Sequence, residues 1–228
     1  MSRPKIIRTC EPLLCCDEVW ETAYLRFETP EEEVRKFVTR LESMGALTWP
    51  KEARIVEIFC GRGNGLLALR KLGFSNLIGV DLSERLLQKF QGEGVLYVAD
   101  CRALPMENDS CDVVIVQGGL HHLPSLPDDL AQTLREVHRV LRPGGRLIAV
   151  EPWLTPFLRL VHALCRVRWL RRVWGHLDAL ATMIDRERVT YENWLSSPHS
   201  ILECLDHELQ CERRSFSMGK LKYVGIKS

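Results

Sequence analysis

Short apolar runs alternate with helix-forming stretches through the middle of this 228-residue chain. The runs lie at residues 55–59, 77–80, 95–98, 111–116 and 146–150. Between them come a stretch at 65–72 closed by Gly73, one capped by Ser83 and reaching about residue 90, and one opened by Asp128 or Asp129. The last ends near Val140 and keeps a helical period through Leu130, Leu134, Val137 and Leu141. Repeated strand–helix–strand units predict a parallel sheet with right-handed crossovers. The run 111–116 is apolar apart from Asp112, as suits a central strand covered on both faces.

The flanks read differently. Residues 1–17 carry no periodic signal, and aromatics recur at Trp20, Tyr24 and Phe27. Thr29-Pro30-Glu31-Glu32 is an N-terminal helix signature, with Thr29 as cap, Pro30 in the first turn and Glu32 three residues beyond the cap. That helix is predicted to reach about Met44, burying Val34, Phe37, Val38 and Leu41, and to stop at Gly45. Downstream, residues 155–174 read as one apolar, basic helix holding Arg159, Arg166, Arg168, Arg171 and Arg172 and no acid. Further helical stretches are predicted at about 178–188, 191–195 and 200–205, then a hairpin of 209–216 and 221–226 around Met218-Gly219-Lys220. The chain divides into an N-terminal helical cap with substrate-side elements, 1–50, and a core, 51–228, with a helical insertion at about 154–205.

A formal net charge of +1 gives no global field to draw in nucleic acid or membrane. No apolar run approaches transmembrane length, and the opening MSRPKIIRTCEPLLCCDE is a poor signal peptide. The nine cysteines are odd in number and fit no disulfide scaffold or zinc module, so reduced thiols and a cytoplasmic location are expected. Cys10, Cys15 and Cys16 form either a metal-binding cluster or an ordinary terminus.

The first apolar run opens onto Gly61, Gly63 and Gly65, in the segment IVEIFCGRGNG. Glycines there let backbone approach a nucleotide-like ligand. Sixteen residues after Gly65 the next run ends in Asp81, placed to accept from ribose hydroxyls. The dinucleotide fingerprint fails, because Leu66 stands where a third glycine or alanine belongs, and no Gly-Lys-Ser or Gly-Lys-Thr follows. The loop therefore favours a nucleoside cofactor without a pyrophosphate.

IVEIFCGRG resembles the first motif of class I S-adenosylmethionine (SAM)-dependent methyltransferases, small-molecule (type 11-like) branch. Glu57 matches the motif's acid and Gly61 and Gly63 its last two glycines, while Phe59 stands where a first glycine is usual. GVDLS, VADCRALP, CDVVIVQGGLHHL and REVHRVLRPGGRLIAVEP resemble the motifs that follow, in order, over residues 53–152. The resemblance implies a Rossmann-like doubly wound α/β sheet, mostly parallel with a terminal antiparallel hairpin and helices on both faces. It implies SAM as cofactor, with Asp81 on the ribose, Leu82 on the adenine, Asp100 and the Cys101 backbone near the adenine amino group, and Gln117 beside the methionine portion. Transfer to a small, partly apolar molecule is the function it implies. An RNA or protein methyltransferase and an inactive SAM-fold scaffold are the alternatives.

The sulfonium activates the methyl group, so the protein needs a base only where the acceptor must lose a proton. His121 and His122, after the fourth run, are the candidate bases, with pocket shaping or a structural role as the other readings. A metal site from this pair is not expected, since adjacent histidines should point apart and no third ligand stands nearby. Trp20, Tyr24 and Trp153 are candidate substrate walls; for Trp20 and Tyr24 core packing is the alternative. The basic stretch 155–174 supports a lid, a homodimer surface or a peripheral membrane contact. Nucleic acid is not an expected partner, because GGLHHLP holds neither a nucleophilic cysteine nor an Asn/Asp-Pro-Pro-aromatic motif.

Overall fold

The computed structural model describes residues 4–12 and 18–228. Among the described residues eight strands form one sheet: β1 (Lys5–Arg8), β2 (Ile55–Ile58), β3 (Leu77–Asp81), β4 (Val95–Val98), β5 (Cys111–Gln117), β6 (Leu141–Pro152), β7 (Gln210–Ser217) and β8 (Lys220–Ile226). Their spatial order is β1-β4-β3-β2-β5-β6-β8-β7. All neighbours are parallel except β6–β8 and β8–β7, so the doubly wound sheet with a terminal antiparallel hairpin is what the chain builds. The order reverses beside β2, between β3 and β5. In open α/β sheets that reversal opens a crevice at the carboxyl ends of the strands.

Ten α-helices accompany the strands among the described residues: α1 (Glu18–Phe27), α2 (Pro30–Ser43), α3 (Asn64–Lys71), α4 (Glu84–Leu87), α5 (Asp128–Val140), α6 (Pro156–Cys165), α7 (Arg168–Val173), α8 (Gly175–Arg186), α9 (Arg188–Ser196) and α10 (Pro198–Glu208). Alternate residues of the central strands feed two cores. Val56, Ile58, Val114 and Val116 pack with Leu130 and Leu134 of α5 and Leu205 of α10. Ile55, Val113 and Ile115 pack with Phe37 and Leu41 of α2 and Leu69 of α3. Helices thus cover both faces, and the apolar residues of central strands β2 and β5 are buried, as suits strands covered on both sides.

Thr29 caps α2 in a full capping box, its hydroxyl accepting from the Glu32 amide while Glu32 accepts from the Thr29 amide. Three elements depart from expectation. Residues 5–8, within the stretch that carries no periodic signal, form an edge strand whose Ile6 registers with Leu96; four residues are too few to show a period. The helix capped by Ser83 ends at Leu87 rather than near residue 90. The single helix expected over 155–174 is two, broken where Val167 turns extended. No glycine or proline marks that break. It lets Val161 and Leu164 of α6 and Leu170 of α7 close together on Leu177 and Ala181 of α8 in a small separate core. Among the described residues no helix is long and apolar enough to cross a membrane.

Candidate functional site

A cleft of about 1160 Å³ lies over the carboxyl ends of β2 to β6, roofed by α1, α6, α8 and the α8–α9 turn. Its floor is the loop after β2. Phe59 holds φ +55°, the left-handed conformation that the usual glycine adopts without strain. Its ring occupies the space beside Gly119, where a Cβ would lie 2.3 Å from the ring. The departure at Phe59 therefore keeps the glycine backbone and turns the side chain against the loop after β5. Gly63 also has positive φ, +75°, and sits on Phe90, which leaves no room for a side chain.

Glu57 is buried at the end of β2, 3% exposed, against α3. A Cβ at Gly65 would lie 1.8 Å from its carboxylate, so only glycine permits this approach. Its Oε1 accepts from Gln117 Nε2 at 3.4 Å, while Oε2 is buried without a hydrogen-bond partner. Burial pushes the carboxyl up to about 8. Such an orphaned acceptor in the crevice is the place for a cationic group. Around it, Arg40 donates to Gln117 Oε1 at 3.0 Å, Asn64 donates to Glu33 Oε2 at 2.6 Å, and Tyr24 donates to Glu33.

Asp81 ends β3 and accepts from the amides of Gly61 and Ser83, both at 2.8 Å. Two amides leave lone pairs for hydroxyl donors, and burial raises its carboxyl above the ordinary range. Asp100 is held in the fork of Arg102 and accepts from the Arg102 amide at 2.8 Å. The Arg102 bond holds it below the ordinary range although burial opposes this. Leu82, Cys101 and Gln117 line the same end of the cleft. These residues fit SAM: a buried carboxylate with one oxygen lacking a partner for its ammonium group, Asp81 for its ribose, and apolar wall for its adenine.

The other end is histidine-rich. A single 3-10 turn, Leu120–His122, puts the two imidazoles side by side, ring centres 4.1 Å apart. They do not point apart as adjacent residues of a strand would. His121 Nδ1 lies 2.7 Å from Glu151 Oε2, and Glu151 Oε1 accepts from the Gly119 and Leu120 amides. Burial works against the His121 proton, but the Glu151 bond and the charges of Glu151 and Glu187 outweigh it and raise its affinity. Burial, and then the neighbouring His121, push His122 well below the ordinary histidine range. His122 Nδ1 lies 3.4 Å from Glu187 Oε2, to which Trp20 Nε1 donates at 3.2 Å. Lys220 borders the cleft too, and burial beside Arg40 and Lys36 lowers it to about 7.

Of the residues singled out in the sequence, Glu57, Gly61, Asp81, Leu82, Asp100, Cys101, Gln117, His121, His122, Trp20 and Tyr24 line one cleft. Gly63 lies beneath the loop on Phe90. Trp153, expected in the substrate wall, is not among the lining residues; its ring packs at a tilt against Phe216 of β7, centroids 5.1 Å apart, where its backbone amide donates to Gly219 O in the hairpin turn. Cys15 and Cys16 lie outside the described residues, and the seven described cysteines are free thiols. Glu33, Arg40, Asn64, Glu151, Glu187 and Lys220 were missed. Glu33 and Arg40 share the α2 face of Phe37 at helical spacing, a polar interruption of a buried stripe that the sequence does display. Glu187 carries no such signal.

Residues 56–149 match the model of a family described as Methyltransferase domain. The chain is 32% identical over 123 residues to a demethylmenaquinone methyltransferase of Lactiplantibacillus plantarum, covering 49% of this chain and 50% of that protein. It is 30% identical over 137 residues to the 27-O-demethylrifamycin SV methyltransferase of Amycolatopsis mediterranei, covering 56% and 48%. The chain thus spans about half the length of these curated relatives. An S-adenosylmethionine-dependent methyltransferase from Mesorhizobium loti shares the fold, with a TM-score of 0.54 at 20% identity over 81% of this chain and 96% of that one.

Proposed function

We propose that this chain, whose residues 56–149 match a methyltransferase-domain model, is a class I SAM-dependent methyltransferase that transfers a methyl group from SAM to a small, partly apolar acceptor. The observation that carries this is the pairing of Glu57, with its partnerless buried oxygen, and Asp81 across one glycine loop. Bound SAM supplies an activated methyl carbon. Glu57 and Gln117 hold the methionine end, Asp81 the ribose, and Leu82, Asp100 and Cys101 border the adenine.

The acceptor occupies the end walled by Trp20, Tyr24, Phe157, Val161 and Leu180. An apolar wall with a few convergent polar groups suits a compact organic molecule. The two curated relatives named above are named for methylation of demethylmenaquinone and of 27-O-demethylrifamycin SV, both organic molecules. His122 receives the acceptor's proton: Glu187 holds Nδ1, which leaves Nε2 as the basic atom. His121, locked by Glu151, buttresses it. Helices α1 and α6 to α9 act as the substrate-side cap.

Calorimetric titration with SAM and with its demethylated product tests the reading. Both are expected to bind, and Asp81→Ala to weaken them about 10- to 100-fold, as loss of hydrogen bonds to a charged group implies. No binding of either compound defeats methyl transfer and leaves a scaffold.

A second reading concerns the partner surface. Away from the cleft, α6 and α7 expose Leu160, Trp169 and Val173 among arginines 159, 166, 168 and 172, while the half-exposed Phe157 and Trp174 border the cleft. The inner face of α6 lines the cleft. We infer a lid whose outer face rests on an anionic lipid surface, so that an apolar acceptor enters beneath it.

A further inference from the structure

The histidine end of the cleft holds more than a base needs. His121, His122 and Glu187 each bring a ligand atom into one group whose members all lie within 4.8 Å of one another. His122 Nδ1 lies 3.4 Å from Glu187 Oε2, and His121 Nε2 lies 3.9 Å from Glu187 Oε1. Zinc bonds of about 2.0–2.2 Å place tetrahedral ligand atoms roughly 3.2–3.6 Å apart. Small side-chain rotations close these groups on one ion.

We propose that His121 Nε2, His122 Nδ1 and a Glu187 carboxylate oxygen form a three-ligand site for a divalent transition metal of the zinc class, with its remaining position open to the cleft. Two outer contacts favour it. Glu151 accepts from His121 Nδ1 at 2.7 Å, which fixes the tautomer and leaves Nε2 as the ligating atom. Trp20 Nε1 donates to Glu187 Oε2 at 3.2 Å and orients that carboxylate. Carboxylate–histidine and donor–carboxylate pairs of this kind accompany metal-ligating side chains. Two imidazoles and one carboxylate, facing a cavity, are the ligand set of open zinc sites. Imidazole selects zinc or cobalt over magnesium or calcium, which prefer all-oxygen shells.

The site goes beyond the methyl-transfer reading and competes with it. Metal on His122 Nδ1 confines the ring proton to Nε2, the atom assigned above as proton acceptor. The protein therefore holds either a metal or a free base at this position.

Titration of the full, reduced, metal-free chain with Co²⁺ followed by visible absorption tests the proposal. One equivalent is expected, with d–d bands of four- or five-coordinate cobalt, no thiolate charge-transfer band, and displacement by Zn²⁺. Glu187→Gln and His122→Ala are each expected to weaken binding at least 10-fold. Circular dichroism and SAM titration check that both variants stay folded. Cobalt bound through thiolate, or bound equally by wild type and by both folded variants, overturns the site. SAM binding that persists in that case leaves the methyltransferase reading intact, so the two fail separately.

Discussion

At the scale of single residues, burial decides the chemistry. Burial pushes the Glu57 carboxyl up to about 8, above the ordinary carboxyl range. The native state thus binds more protons than the unfolded chain between about pH 4.5 and 8, so stability falls as pH rises through that window and is level above it. The loss is on the order of a few kcal/mol. Urea denaturation at pH 5.5 and 8 is expected to show it in wild type and not in Glu57→Gln. An ammonium group binding beside Glu57 reverses the shift, so SAM binding near pH 7 releases a proton, detectable by calorimetry in buffers of differing ionisation enthalpy. His122 moves the other way. Its depressed value keeps it unprotonated below the usual histidine pKa of about 6.5, so the acid limb of the rate profile is expected below pH 6.5. His122→Ala is expected to lower kcat about 10²- to 10⁴-fold while SAM affinity changes little; a small kcat effect would remove His122 as base. Phe59 shows a residue violating a motif without changing its geometry. It accepts a left-handed backbone, which for a non-glycine costs about 1–2 kcal/mol, and its ring packs beside Gly119 and the main core.

At the scale of elements, α2 links local sequence to the site most directly. Its capping box lies at one end, while Glu33 and Arg40 face the polar network under the cleft. Thr29→Ala is expected to cost about 1 kcal/mol of stability by urea denaturation. Glu21 ties α1 to the rest: Arg85 lies 2.9 Å away, and Arg62 of the glycine loop and Lys89 also bond to it. Burial alone would raise this carboxyl, but the Lys89 bond and the three cations bring it below the ordinary range. The cap helix is therefore joined to the cofactor loop by charge as well as by packing. The break between α6 and α7 was not legible in sequence. Residues 155–174 are helical at every local level, and only the shared contact of Val161, Leu164 and Leu170 with α8 bends the chain at Val167.

At the scale of the whole molecule, the cleft has one side built by the carboxyl ends of the sheet strands and the other by the cap helices. The outer face of the cap carries exposed Leu160, Trp169 and Val173 with arginines. Vesicles containing anionic lipid are expected to sediment the protein at low salt and release it at high salt. Each arginine near such a surface contributes about 1 kcal/mol, so Arg168→Gln with Arg172→Gln should lower partitioning about 30-fold. Equal binding to neutral vesicles, or none with a concentration-dependent dimer instead, would assign this face elsewhere. The sequence alone determined the order of strands and helices from residue 55 to 152, because these obey local rules: two- and 3.6-residue periods, caps, and a glycine loop following a strand. It also displayed Glu57, Asp81 and the histidine pair. Only the tertiary structure decided what surrounds them. Glu187 reaches His122 from the α8–α9 turn, 65 residues away in sequence, Glu151 reaches His121 from β6, and Trp153 turns from the cleft to Phe216. Such pairings depend on how the cap folds back over the sheet, and no local period records that return.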